Sequence, residues 1–136
     1  MKTPIFFLLI LLLGSRLHGQ IHQDNLDSAF NQLKGNGLTP FARALYEDTD
    51  SANNFIHHLD PLMRGAGEFL DYEILSIHPL AKKINRMIIV IYFEKFPMYL
   101  RLDTYDTPKG RIYLSPLASK EASDVLPPDL IAVSGK

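Results

Sequence analysis

The spacing of apolar residues changes once along the chain, at Gly67, and this change restricts the possible folds more than any other feature of the sequence. From residue 25 to Gly67 the apolar residues recur at intervals of three or four, the spacing of one face of an amphipathic helix. Directly after Gly67, at residues 70–74, they alternate with polar residues, as in a half-buried strand. Helices followed by strands predict an α+β fold, in which the helices lie across one face of an antiparallel sheet.

The first two helices are predicted from their ends as much as from their apolar faces. The first covers residues 25–34 and stops at residues 35–37, a Gly-Asn-Gly sequence that takes positive φ easily. The second begins at Thr39, a side chain that caps helices, followed by Pro40 at the first helical position.

A third helix is predicted over residues 52–63, where the apolar side chains fall within about a third of the helical circumference. This stripe consists of Ala52, Phe55, Ile56, Leu59, Leu62 and Met63. Because the ring of a proline opposes the carbonyl four residues earlier, we expect Pro61 to bend or interrupt this helix.

Four strands are predicted after the helices, arranged as an antiparallel meander. The first covers residues 70–74. The second covers residues 87–93, which are apolar on both faces and therefore typical of a central strand. The third covers residues 96–105, and the fourth covers residues 111–117 after the turn chemistry of an Asp-Thr-Pro-Lys-Gly sequence.

The predicted domain therefore spans residues 20–118. Residues 119–136 contain a Pro-Pro pair and a Ser-Gly-Lys end, and are predicted as a loosely ordered tail. An alternative is that Leu126, Leu130 and Ile131 dock on the core.

The first nineteen residues have the pattern of a signal peptide. Lys2 gives a positive start, residues 5–13 are apolar, and residues 14–19 are a polar exit rich in small residues, with cleavage expected after Gly19. The apolar run is too short to cross a bilayer easily. We therefore expect an exported protein, periplasmic or secreted, with no stable membrane anchor after signal cleavage.

Composition restricts the kind of cell that the protein comes from and the partners that it can bind. The chain of 136 residues has no cysteine, and no asparagine begins an N-x-Ser/Thr sequon, so a disulfide-free bacterial exported protein is favoured. The formal net charge is -1, and the basic residues are scattered. A nucleic-acid partner is not expected, because it needs basic residues gathered on one face.

Two segments carry a family resemblance. Residues 67–74 (GEFLDYEI) and 91–102 (IYFEKFPMYLRL), with Tyr105 before a Pro-Lys-Gly turn, resemble small exported bacterial proteins of unknown function with a nuclear transport factor two-like, or cystatin-like, α+β roll. The resemblance covers residues 24–117. It implies helices packed on a curved antiparallel four-stranded meander. The superfamily includes ketosteroid isomerase-like and dehydratase-like enzymes, and also ligand-binding and dimerising domains without activity.

One stripe of side chains on the third predicted strand suggests a recognition surface. Its members are Tyr99, Arg101, Asp103 and Tyr105, with Tyr113 on the following strand. Tyrosine offers apolar area with a polar tip, and arginine offers a planar fork of donors, so this interaction face suits an unknown protein partner, a small molecule or a second copy of the chain. The alternative is a solvated sheet face stabilised by cross-strand pairs.

The remaining polar residues favour neither a metal site nor a catalytic site. His57 and His58 are neighbours, so on a helix they point about 100° apart and cannot bind one ion together. Asp71 and Glu73 lie two residues apart on one strand face, where they could share a proton or simply face solvent. No catalytic residue, cofactor or metal ligand is predicted.

Two functions remain open from the sequence. The favoured one is an exported, non-catalytic binding or interaction module. Its rival is a small lyase- or isomerase-like enzyme with an acid-base residue between the helices and the sheet, for which Asp60, His58 and His78 are the candidates.

Overall fold

The computed structural model describes residues 26–134. The predicted signal peptide, residues 1–19, and its cleavage site lie outside the described residues. The described elements follow one another as α1 (26–36), α2 (Leu38–Leu45), α3 (Thr49–Met63), β1 (Phe69–Ala81), β2 (Ile84–Phe93), β3 (Pro97–Thr107), β4 (Gly110–Tyr113), β5 (Leu117–Ser119), α4 (Ala122–Val125) and α5 (Pro128–Ser134).

The predicted α+β fold is confirmed, because three helices precede an open, curved antiparallel sheet. The strand order is β1-β2-β3-β4, and β5 also pairs with β3. The predicted fourth strand, residues 111–117, is divided into β4 and β5. Between them Pro116 has no N–H to donate, and the backbone N–H of Leu114 donates to the carbonyl of Asp103 at 2.8 Å.

The first strand is much longer than the predicted residues 70–74. β1 continues to Ala81 along one edge of the sheet, and its register with β2 shifts at three places. Such irregularities bend a strand and re-aim its side chains. After the shift at Leu75, Ser76 and His78 lie beside Ile88 and Arg86 of β2.

The inner face of the sheet is the face covered by α1, α2 and α3. Its central side chains are at most 1% exposed and pack against the apolar stripes of the three helices. They are Met87, Ile89, Ile91, Met98, Leu100 and Leu102. Alternation along β2 and β3 produces this face, since successive side chains of a strand point to opposite sides.

The third helix is fixed at both ends by local chemistry. The carboxylate of Asp48 accepts from the backbone N–H of Ser51 at 3.0 Å, which caps the first turn. The helix continues through Pro61 to Met63, so the predicted interruption is absent; the helix ends two residues after the proline. Gly65 follows with φ of +76°, a conformation that favours glycine.

No helix in the described part of the chain is long and apolar enough to span a membrane.

Aromatic rings connect α2 and α3 to the sheet. The ring centroids of Phe41 and Phe55 are 5.6 Å apart, and those of Phe55 and Tyr46 are 5.3 Å apart. Tyr46 in turn makes an edge contact with Tyr113 of β4 at 6.3 Å. The contacts form a continuous aromatic path from α2 through α3 to the sheet.

The outer face is the opposite side of the sheet, and α4 and α5 cover its centre. Val125 and Leu126 are buried together with Ile88, and Leu130 and Ile131 pack beside them. Leu126, Leu130 and Ile131 thus dock on the sheet, as the second of the two alternatives for this segment expects. The physical reason is that these apolar side chains leave solvent by packing on the outer face.

Candidate functional site

Two rows of side chains cross the outer face, each formed by residues paired side by side on β1, β2 and β3. One row is Ser76, Ile88 and Arg101, and the other is His78, Arg86 and Asp103. Because antiparallel pairing keeps paired side chains on the same face, the register brings two arginines, a histidine and a carboxylate together.

All of these residues except Asp103 form the floor of a groove, here called the outer groove, whose opposite wall is the C-terminal segment. Its volume is about 450 Å³, within the range of small-molecule sites. The apolar lining consists of Leu80, Ile88, Val125, Leu126, Pro127 and Leu130. The polar lining consists of Ser76, His78, Arg86, Arg101 and Asp129.

One of the two arginines is already satisfied within the protein. Arg86 donates from Nε to Oδ1 of Asp103 at 2.9 Å and from Nη2 to Oδ2 at 3.0 Å, a bidentate pair. These hydrogen bonds raise the pKa of the Arg86 guanidinium above its ordinary value. The pair is half-buried and electrically neutral as a unit.

The second arginine has no such partner. The Nε atom of Arg101 is buried and has no hydrogen-bond acceptor. Its guanidinium forms no ion pair with any described residue. Arginine stays protonated in proteins, and a charged donor held away from water without an acceptor is costly. Arg101 is therefore the one groove arginine with donors to spare in the described part of the chain.

The structure brings together four of the five residues of the predicted interaction face. Tyr99, Arg101, Asp103 and Tyr105 alternate along β3 on the outer face. Tyr99 is half-buried and packs against the C-terminal helices, whereas Tyr105 is 39% exposed. Tyr113 lies on the inner face, because it pairs with the buried Thr104.

The two adjacent histidines of α3 have different surroundings. His57 is exposed, and His58 accepts a hydrogen bond at Nε2 from the backbone N–H of Ala118, at 3.2 Å. The hydrogen bond between His58 and Ala118 attaches α3 to β5. His58 thus supports the packing of the C-terminal strand against the helices.

The other two acid-base candidates also lie outside the space between the helices and the sheet. Asp60 forms an exposed ion pair with Arg64 at 3.2 Å, and His78 lines the outer groove. Apolar side chains fill the space between the layers, where Thr104 is the buried polar residue among those described. The threonine hydroxyl donates to a backbone carbonyl.

The paired carboxylates of β1 have separate hydrogen-bond partners. Glu73 accepts from the hydroxyl of Tyr92 at 2.9 Å, and this bond raises the pKa of that phenol. Asp71 accepts from the backbone N–H of Tyr72. The Tyr72 hydroxyl donates to Asp27 of α1, and burial followed by this bond raises the tyrosine pKa.

Among residues 26–134, no group of three or more histidine, aspartate or glutamate side chains is placed to hold a metal ion. The polar groove residues that the sequence analysis did not single out are Ser76, Arg86 and Asp129. The signal for Ser76 is the alternation that continues past Ile74, in which Ser76 and His78 are the polar positions.

Comparison of the chain with protein-family models, with curated proteins and with solved structures finds no match.

Proposed function

We propose that this chain is an exported, non-catalytic binding module that holds a small molecule in the outer groove. The observation that carries the proposal is Arg101, a half-buried cation without an acceptor on the floor of a groove whose lining is largely apolar. Small-molecule sites combine apolar walls with a few convergent polar groups that fix orientation. The outer groove has both.

The composition of the groove supports ligand binding over a purely structural role. Its apolar lining is accompanied by a hydroxyl from Ser76, an imidazole from His78 and a carboxylate from Asp129. Leu80 is 46% exposed at its edge, and burial of that side chain by a ligand would be favourable. A groove that served only to join the C-terminal helices to the sheet would not need these polar groups.

Two further parts of the proposal concern origin and family. The signal-peptide pattern of residues 1–19 and the absence of cysteine support export from a bacterial cell. The helices packed on an open, curved antiparallel sheet support membership of the nuclear transport factor two-like, or cystatin-like, rolls. Both parts are independent of the groove.

Native mass spectrometry of the protein purified without denaturation tests the binding proposal. We expect a monomer that carries a non-covalent small molecule. Ser76→Trp should lose that molecule, because the indole would fill the groove. Asn53→Trp, at an exposed position of α3, is the matched control and should keep it.

The same spectra can contradict the proposal. A ligand retained by Ser76→Trp would lie elsewhere in the molecule. A dimer with no bound molecule would instead favour the outer face as a surface for a second copy of the chain.

A further inference from the structure

We infer that the ligand of the outer groove is an amphiphilic carboxylate, with its head group on Arg101 and an alkyl chain along the apolar lining; this inference rests on the proposed function. The groove is lined by an unpaired guanidinium and by six apolar residues. A ligand that satisfies both must carry one anionic group and a long apolar part.

The protein itself shows which anion fits an arginine on this face. Arg86 binds the carboxylate of Asp103 through two hydrogen bonds of 2.9 and 3.0 Å. Arg101 lies in the neighbouring row and lines the groove; its Nε is buried, so its two Nη groups, which have no acceptor among the described residues, are the donors left for a ligand. A ligand carboxylate would accept from both Nη groups, the end-on counterpart of the Arg86–Asp103 pair, in which Nε and Nη2 donate.

The other charges around Arg101 favour a single negative charge on the ligand. Asp103 is neutralised by Arg86, while Asp129 lies on the facing wall without an ion pair among the described residues. Asp129 is exposed, so water can solvate its carboxylate, whereas the Nε of Arg101 is buried. The arginine thus requires a partner more than the aspartate does, and Asp129 would repel a dianion.

The apolar half of the ligand has a defined path. Ile88, Val125 and Leu126 lie at the base of the groove and are at most 7% exposed, because they pack against one another. The accessible apolar surface of the C-terminal wall belongs to Pro127 and Leu130. Leu80 lies at the β1 side, where it is partly exposed. An alkyl chain along this path would remove apolar surface from water without needing further hydrogen-bond partners.

Three probes of one chain length test the inference: decanoate, decanol and decyltrimethylammonium, each below its micelle concentration. Titration calorimetry and amide chemical shifts of the whole exported protein give the affinities and locate the site. We expect decanoate to bind about tenfold to hundredfold more tightly than the other two, which is the range for a hydrogen-bonded charge pair. The shifts should fall on the groove residues.

Substitutions separate the contributions of the ligand's head group and of its alkyl chain to the affinity. Arg101→Met keeps an apolar stem, so it should reduce decanoate affinity to that of decanol and leave decanol binding unchanged. Its melting temperature should stay equal or rise, because an unpaired charge is removed; a large fall would show that Arg101 is structural and would overturn the inference. Arg64→Met replaces an exposed arginine directly after α3; it is the control and should change neither affinity.

A second variant keeps the test valid if Arg101→Met does not fold. Asp129→Asn removes the like charge from the facing wall and should tighten decanoate binding a few-fold without affecting decanol. Equal binding of decanoate and decanol would overturn the carboxylate assignment and leave the groove as an apolar ligand site. Failure of all three probes overturns the inference, and the mass spectra then decide the proposed function separately.

Discussion

The two faces of the sheet differ in how completely they are covered. On the inner face, three helices bury the central apolar side chains, and the buried Thr104 hydroxyl donates to the carbonyl of Asn85. On the outer face, two short helices cover Ile88 and leave a groove in which Arg101 has no acceptor. The difference teaches that the two sides of one sheet are packed unequally, so that most of the burial lies on the inner side.

This division has a physical basis. A fully packed layer gains the most from burial, but it leaves no space for a ligand. A partly covered layer keeps space and can hold a polar group whose partner arrives from outside. Substitutions on the two faces should therefore differ both in their energetic cost and in how far their effects spread.

The largest expected effect is on the inner face, at Phe55. Its side chain is fully buried between the rings of Phe41 and Tyr46. Phe55→Ala should lower the free energy of unfolding by about 3–5 kcal/mol, because transfer and cavity costs add. Urea unfolding followed by circular dichroism measures this. Tyr105→Ala on the outer face is the control, and an equal loss there would contradict the comparison.

A smaller and more local effect is expected on the outer face, at Leu126. Its side chain is 7% exposed and packs in the small cluster with Val125 and Ile88. Leu126→Ala should cost about 2 kcal/mol, the low end for a buried leucine, since the site is close to solvent. Hydrogen exchange should quicken in α4 and α5 while the amides of β2 and β3 stay protected.

Leu59→Ala on α3 is the matched control for that experiment, because Leu59 is fully buried on the inner side. It should quicken exchange throughout the sheet. If Leu126→Ala also exposed the amides of β2 and β3, the C-terminal helices would belong to the main core, and the two faces would not be independent.

The inner face could be predicted from the sequence because its signals are long and regular. The apolar stripe of residues 52–63 and the apolar run of residues 87–93 each extend over several turns or alternations. Both are confirmed as α3 and β2. Periodicity works here because the buried surface is continuous.

The outer face was harder to predict because its elements are short. α4 has four residues, too few to show a helical period, and α5 follows Pro127 at once. What these helices bury becomes visible only when Ile88 is known to face them. The unpaired state of Arg101 likewise depends on tertiary contacts, which no local pattern reports.

The position of Tyr113 shows that the exact strand register is needed to predict which face of the sheet a residue lies on. The turn between β3 and β4 has two residues, Pro108 and Lys109, and Thr107 pairs with Gly110. Counting outward from this turn pairs Tyr113 with Thr104, an inward position, so the tyrosine points away from Tyr105. Turn length sets the face of every following residue, and the sequence contained this information.

The smallest expected effect at neutral pH concerns a single hydroxyl on the inner side. The hydroxyl of Tyr46 donates to the carbonyl of Leu114 at 2.9 Å, and the tyrosine is 7% exposed. Tyr46→Phe should lower the free energy of unfolding by about 1 kcal/mol, the usual net value of one such bond. Tyr92→Phe on the outer face, whose hydroxyl bonds to Glu73 in solvent, should change it less.

Alkaline titration sharpens the same prediction, because the effect of Tyr46→Phe on the free energy of unfolding should change sign as pH rises. Burial, and then the neighbouring Tyr113, raise the pKa of Tyr46 above its ordinary value, whereas in the unfolded chain the phenol ionises near pH 10. The stability that this neutral phenol contributes is complete below about pH 10 and is lost as pH rises, at up to about 1.4 kcal/mol per pH unit. Since the variant lacks that loss, Tyr46→Phe should become the more stable protein roughly one unit above pH 10. Parallel stability curves for the two proteins up to the alkaline limit would show instead that Tyr46 ionises freely in the folded state, and that the inner face is open to water at this point.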